Sequence, residues 1–214
     1  ITAAMISSGL QLVTTASTNT FAGLNVGAAV SGGTELTYYG HNAGNDNTSG
    51  DYNTGIGREA LAKNTTAANN TAVGNYALGL NTTGTRNTSV GSYALDANTT
   101  ASDNTALGYL ALSANTTGEV NVAVGSDALA ANTTGNYNTA LGRSALKVNT
   151  TGADNTGVGY EALSTVTTGT KNTAVGVYAL DVSTTASHNT AVGYVALGSN
   201  TTGEQNVAVG NYAL

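Results

Sequence analysis

A 17-residue unit recurs without insertion or deletion from Asn53 to Leu214, and a fixed short period constrains the fold more than any other sequence feature. Units start at Asn53, Asn70, Asn87, Asn104, Asn121, Asn138, Asn155, Asn172, Asn189 and Asn206, and the tenth stops inside a repeat. Counted from that Asn, position 3 is always small, position 4 always aliphatic, position 5 always Gly, position 8 always Ala and position 9 always Leu. Positions 13 and 14 are Thr in all nine units that reach them, and position 15 is Gly or Ala. Units five apart resemble each other more than neighbours do, so Asn104–Val120 matches Asn189–Gln205. Duplication of an 85-residue block explains this second period.

The unit reads as β-structure. Asn-Thr-Ala-Val alternates with period two, placing positions 2 and 4 on one face and positions 1 and 3 on the other. Glycine at position 5 then ends the strand where positive φ or close backbone approach is needed. This turn-glycine column is Gly57, Gly74, Gly91, Gly108, Gly125, Gly142, Gly159, Gly176, Gly193 and Gly210. Ala-Leu at positions 8 and 9 predicts a second short strand, and Asn-Thr-Thr-Gly leads into the next unit. No i, i+3, i+4 apolar stripe supports a helix.

Strands this short need neighbours. Stacked in register at about 4.8 Å per rung, the units form an all-β, parallel β-solenoid, and ten rungs make a rod roughly 48 Å long. The expected core consists of two columns. Position 4 supplies Ile56, Val73, Val90, Leu107, Val124, Leu141, Val158, Val175, Val192 and Val209. Position 9 supplies Leu61, Leu78, Leu95, Leu112, Leu129, Leu146, Leu163, Leu180, Leu197 and Leu214. The Asn at positions 1 and 12 are expected to form amide ladders between rungs. Two large apolar side chains per unit make a thin core. Burying the second strand face between chains would relieve that deficit, which favours a parallel homo-oligomer.

Outside the array the chain divides in two. Residues 1–35 are apolar, uncharged before Glu35 and too short for their own core, so they read as an end cap or a segment docking on a virion or surface-anchor protein. Leu10-Gln11-Leu12 and Leu24-Asn25-Val26 suggest short strands there. Residues 36–52 are a degenerate first repeat, as terminal repeats of a stack often are. The absence of Cys excludes disulfides and thiolate metal sites, and the net charge of −6 argues against nucleic acid and anionic membranes. No apolar run is long enough to span a bilayer, and the N-terminal residues lack the basic region of a signal peptide.

Asn-Thr-Ala-Val-Gly-x-x-Ala-Leu, clearest in Asn104–Leu112 and Asn189–Leu197, resembles the head repeats of trimeric autotransporter adhesins. The longer pattern that runs on into Asn-Thr-Thr-Gly is similar to arrays in phage and viral tail-fibre-like proteins. The resemblance covers residues 36–214. It implies a left-handed β-roll in which three chains pack side by side into a homotrimeric shaft. Adhesin repeats are shorter than the 17 residues found here, which leaves a longer loop in this chain.

Little in the sequence carries catalytic chemistry. Gly55-Ile56-Gly57-Arg58-Glu59-Ala60 and Gly157-Val158-Gly159-Tyr160-Glu161-Ala162 fit a dinucleotide pattern, but the following helix is missing. His41 and His188 are the only histidines, and the twelve carboxylates are scattered, so no metal or acid–base cluster can be assembled. No cofactor is expected. Asn64, Asn81, Asn98, Asn115, Asn132, Asn149 and Asn200 lie in sequons, which are better read as the repeat's turn. Tyr109, Tyr160 and Tyr194 are candidates for stacking on a glycan, or for filling a chain–chain seam. The expected function is therefore structural, namely a fibre shaft holding a tip for a cell-surface glycan or protein receptor. The alternatives are an adhesin head and, through its Thr columns, an ice-binding solenoid.

Overall fold

The computed structural model describes residues 11–13 and 18–214. All thirteen strands lie in one sheet in chain order. Strand β1 (Gln11–Val13) runs antiparallel to β2 (Thr20–Gly23), which is followed by β3 (Thr37–Tyr39), β4 (Thr54–Ile56) and so on to β13 (Val207–Val209). From β2 onward every pairing is parallel and displaced by one repeat, as in Thr20↔Thr37, Thr88↔Thr105 and Thr190↔Val207. The chain is thus a parallel β-solenoid of about eleven turns, with 17-residue rungs and no helix among the described residues.

The array begins earlier than the sequence boundary. Residues 19–35 form a full rung rather than part of a separate N-terminal segment, and 36–52 form the next. Asn19 already behaves as a position-1 Asn, its Oδ1 accepting from the Leu36 N–H at 2.9 Å and its Nδ2 donating to Gly33 O at 2.8 Å. The strand expected at Leu24–Val26 is a turn. That expected at Leu10–Leu12 overlaps β1, and the rest of the segment before residue 18 lies outside the described residues.

The interior corrects the expected core. The inward face of each strand carries positions 1 and 3, so Ala72, Ala106, Ala140 and Ala174 are fully buried beside the Leu column at position 9. The position-4 residues (Ile56, Val73, Val90, Leu107, Val124, Leu141, Val158, Val175, Val192 and Val209) point outward. Leu107 and Leu141 are each 46% exposed, and none of the column is core. The interior beneath the strand is occupied by two Asn ladders and the Leu column, which leaves room there for a methyl group. Leu214 is also not core, being 85% exposed.

The predicted strand at positions 8 and 9 is instead a turn, bent by left-handed residues. Leu78, Leu95 and Leu112 adopt φ of 51, 49 and 52°, and Tyr76 and Tyr93 at position 7 adopt 57°. A left-handed L-residue costs about 1–2 kcal/mol, so the surroundings must hold it. The Leu95 N–H does so by donating to Ala111 O at 3.0 Å, while its side chain is fully buried. Gly91 takes φ +140°, and a Cβ there would sit 2.3 Å from Gly108 O, so its column admits nothing larger.

Both expected Asn ladders are present. At position 12, Asn81 Nδ2 donates to Asn64 Oδ1 (3.0 Å) and to Gly84 O (2.9 Å). At position 1, the Asn87 N–H donates to Asn70 Oδ1 (2.9 Å), and Asn70 Nδ2 donates to the same Gly84 O (2.9 Å). One carbonyl per rung therefore ties both ladders together across the turn. These amides are completely buried, and pairing of this kind offsets the cost of burying them.

Candidate functional site: the outer faces of the solenoid

Stacking turns the repeat into surface columns, and the columns differ sharply in chemistry. Every Asp, Glu, Lys, Arg and His of the array falls at positions 6, 7, 10, 11, 16 or 17. None falls on the strand, whose outer face is a column of Thr (Val122 and Val207 excepted) beside the aliphatic column of position 4. The solenoid thus presents one long uncharged, half-apolar face bordered by charged corners.

The corners pair from rung to rung. Arg86 Nε and Nη2 reach Asp103 Oδ1 and Oδ2 at 2.6 and 2.8 Å, and Lys63 Nζ reaches Asp46 Oδ2 at 2.9 Å. The Arg86 guanidinium holds the Asp103 carboxyl below its ordinary pKa, whereas partial burial pushes Asp96 and Asp181 up. His41 and His188 are both exposed, and no group of three metal-ligating side chains occurs among the described residues. No helix among the described residues is long and apolar enough to cross a membrane.

Tyrosines gather next to the strand face towards the C-terminal end. Tyr178 meets Tyr160 and Tyr194 edge-on at centroid distances of 5.4 and 6.5 Å, and Tyr194 meets Tyr212 at 5.3 Å. Two of the three candidate tyrosines, Tyr160 and Tyr194, are therefore joined through Tyr178. Tyr109 is exposed and stands outside this group. Arg143 caps the Tyr160 ring at 5.7 Å.

The sequon asparagines are withdrawn from the surface. Asn64, Asn81, Asn98, Asn115, Asn132 and Asn149 are fully buried in the position-12 ladder; Asn200 is partly exposed. Thr at position 14 is exposed, whereas Thr at position 13 is tied down from Thr48 to Thr167, as when Thr82 Oγ1 donates to Thr99 O at 2.9 Å. The class this geometry defines is a parallel β-solenoid with a smooth uncharged strand face. Compared with protein-family models, curated proteins and solved structures, the chain has no match.

Proposed function

We propose that the chain is a rigid, length-setting shaft in an attachment fibre of the phage or viral tail-fibre kind, built from three parallel copies. The observation that carries this reading is the unbroken one-repeat register along all parallel strand pairs, from Thr20↔Thr37 to Val192↔Val209. Such a stack has a length fixed by repeat number. The uncharged strand face supports self-association. Its aliphatic column recurs at the rung spacing, so another copy in parallel register matches it rung for rung, and burying it removes apolar area from water. The N-terminal end of the rod, residues 1–35 with their first rung 19–35, is then the side that meets a virion or anchor protein, and receptor binding belongs to a tip.

Electron microscopy and mass measurement of the intact assembly test this. Deleting residues 104–120 should shorten the rod by about 4.8 Å with its width unchanged, and the particle should weigh three times the 21.1 kDa chain. A compact particle whose length ignores repeat number would sink the shaft reading. A monomer at all concentrations would sink the trimer.

A further inference from the structure

The corner formed by positions 10 to 13 changes character along the rod. In seven successive rungs the position-11 N–H donates to the position-10 carbonyl of the next rung. Examples are Lys63 to Gly79 O (3.0 Å), Ala97 to Ser113 O (3.2 Å) and Ala131 to Lys147 O (3.0 Å). Position 11 then becomes β-branched at Val148, Thr165 and Val182, and none of the three makes that bond. Restricted χ1 rotamers at a tight turn crowd the backbone there. Thr165 instead turns its hydroxyl onto Asp181 O, the position-10 carbonyl of the next rung, and onto Ser183 O at 3.0 Å.

Next to this, the position-12 ladder stops. Asn149 Oδ1 would accept from the next amide, but Val166 stands there, and the oxygen is buried without a partner. Ser183, one rung further, has its hydroxyl buried and unpartnered as well. The position-13 bond, made in every rung from Thr48 to Thr167 (Thr167 N–H to Thr184 O, 2.8 Å), is not made between Thr184 and Thr201. Between rungs 172–188 and 189–205 the corner is therefore unbonded at three consecutive positions.

The strand side of that same junction is intact. Asn189 N–H donates to Asn172 Oδ1 at 3.0 Å, Thr173 N–H to Asn189 O at 2.8 Å and Gly193 N–H to Val175 O at 2.8 Å. A junction zipped along the strand, with Leu180 N–H still donating to Ala196 O at 3.0 Å, but unbonded at positions 11 to 13 is a hinge. We infer that the solenoid carries a built-in joint between rungs 172–188 and 189–205, pivoting on the strand and opening at the position 10–13 corner. The rod bends there in one direction, because only that corner can open without breaking the sheet. This joint follows from the hydrogen-bond pattern, and it confines the rigidity of the proposed shaft to the rungs on either side of it.

Native-state hydrogen exchange on the full chain tests it. Amides of Val182 to Thr184 are expected to exchange about tenfold faster than those of Ala97 to Thr99, with the strand amides Ala174 and Ala191 protected equally with Ala106. Restoring the body sequence with Val166→Asn, Val182→Ala and Ser183→Asn together should slow the corner about tenfold. Equal protection of the two corners in the wild-type chain overturns the joint, and so does exchange in a folded triple variant that stays as fast as before. The wild-type comparison decides alone if the variant does not fold.

Discussion

Rungs 19–52 and rungs 53 onward fill the same turn in opposite ways. In the body, a small residue at position 3 faces a Leu at position 9. In the first two rungs an aromatic occupies position 3, Phe21 and then Tyr38, and glycine replaces the Leu, as Gly27 and Gly44. The rings are buried and stack at 5.4 Å with planes 11° apart. A Cβ on Gly44 would sit 2.2 Å from the Tyr38 ring. Gly44 has φ +57°, much the same as the leucines at this position, so the backbone alone does not demand glycine here. The ring does. The invariant is the enclosed volume of the turn; which side of it supplies the bulk is free.

Breaking that exchange should give the largest effect. Gly44→Leu alone overpacks the turn and is expected to cost about 3 kcal/mol or more, and Tyr38→Ala alone leaves a cavity costing about 3–5 kcal/mol. Together they recreate the body's arrangement, and the double variant should fall within about 1.5 kcal/mol of the wild type. Urea midpoints of the four proteins decide it, and additive losses would show that the two sites are not complementary. The Tyr38 hydroxyl lacks a partner, and burial raises its pKa with the Asn53 side chain offsetting part of this. Removing the ring therefore removes an unsatisfied group too.

A second contrast lies between the continuous position-12 ladder and its natural interruption at Val166. Asn98 Nδ2 donates to Asn81 Oδ1 at 2.9 Å, and its own Oδ1 accepts from Asn115 at 3.2 Å. Asn98→Leu should cost about 2–3 kcal/mol, because Asn81 Oδ1 loses its donor and one of the two N–H groups of the Asn115 amide loses its acceptor, the other still reaching Gly118 O. A loss below about 0.5 kcal/mol in the same urea titration would mean that the ladders only follow the fold. The interruption at Val166 shows that one such defect is survivable in a stack held by a second ladder, which runs on to Asn206.

Much of this was legible in the repeat, because a period reports a shared environment. The rung length, the glycine column, the period-two alternation and both ladders all follow from the repeat's position identities. The burial of position 4 did not follow. Size alone suggests burial, whereas the interior of a narrow turn already holding two amide columns and a leucine leaves only a methyl's space beneath the strand, so the larger residue faces out. The left-handed leucines gave no signal, since nothing in an Ala-Leu pair distinguishes a turn from a strand. Rung 19–35 was hidden by Phe21, although Asn19 and Gly23 sit one period before Leu36 and Gly40 and could have revealed it.

The smallest effects separate two carboxylates of one rung. Asp96 has its pKa raised by burial, partly offset by the nearby backbone N–H groups, whereas Asp103 has its pKa lowered by Arg86. A folded-state pKa above the unfolded one makes the charge a penalty at neutral pH, and that penalty fades as pH falls through the folded and then the ordinary carboxylate value. A folded-state pKa below the unfolded one stabilises at neutral pH, and this is lost as pH falls through the lowered value. Asp96→Asn should therefore raise the melting temperature slightly at pH 7, and Asp103→Asn should lower it slightly, both changes vanishing in acid. Salt should weaken the second and spare the first, since an exposed ion pair is screened and a desolvation penalty is not. Melting curves at two pH values and two salt concentrations check both signs; shifts of the same sign would mean that burial and pairing do not govern these two positions.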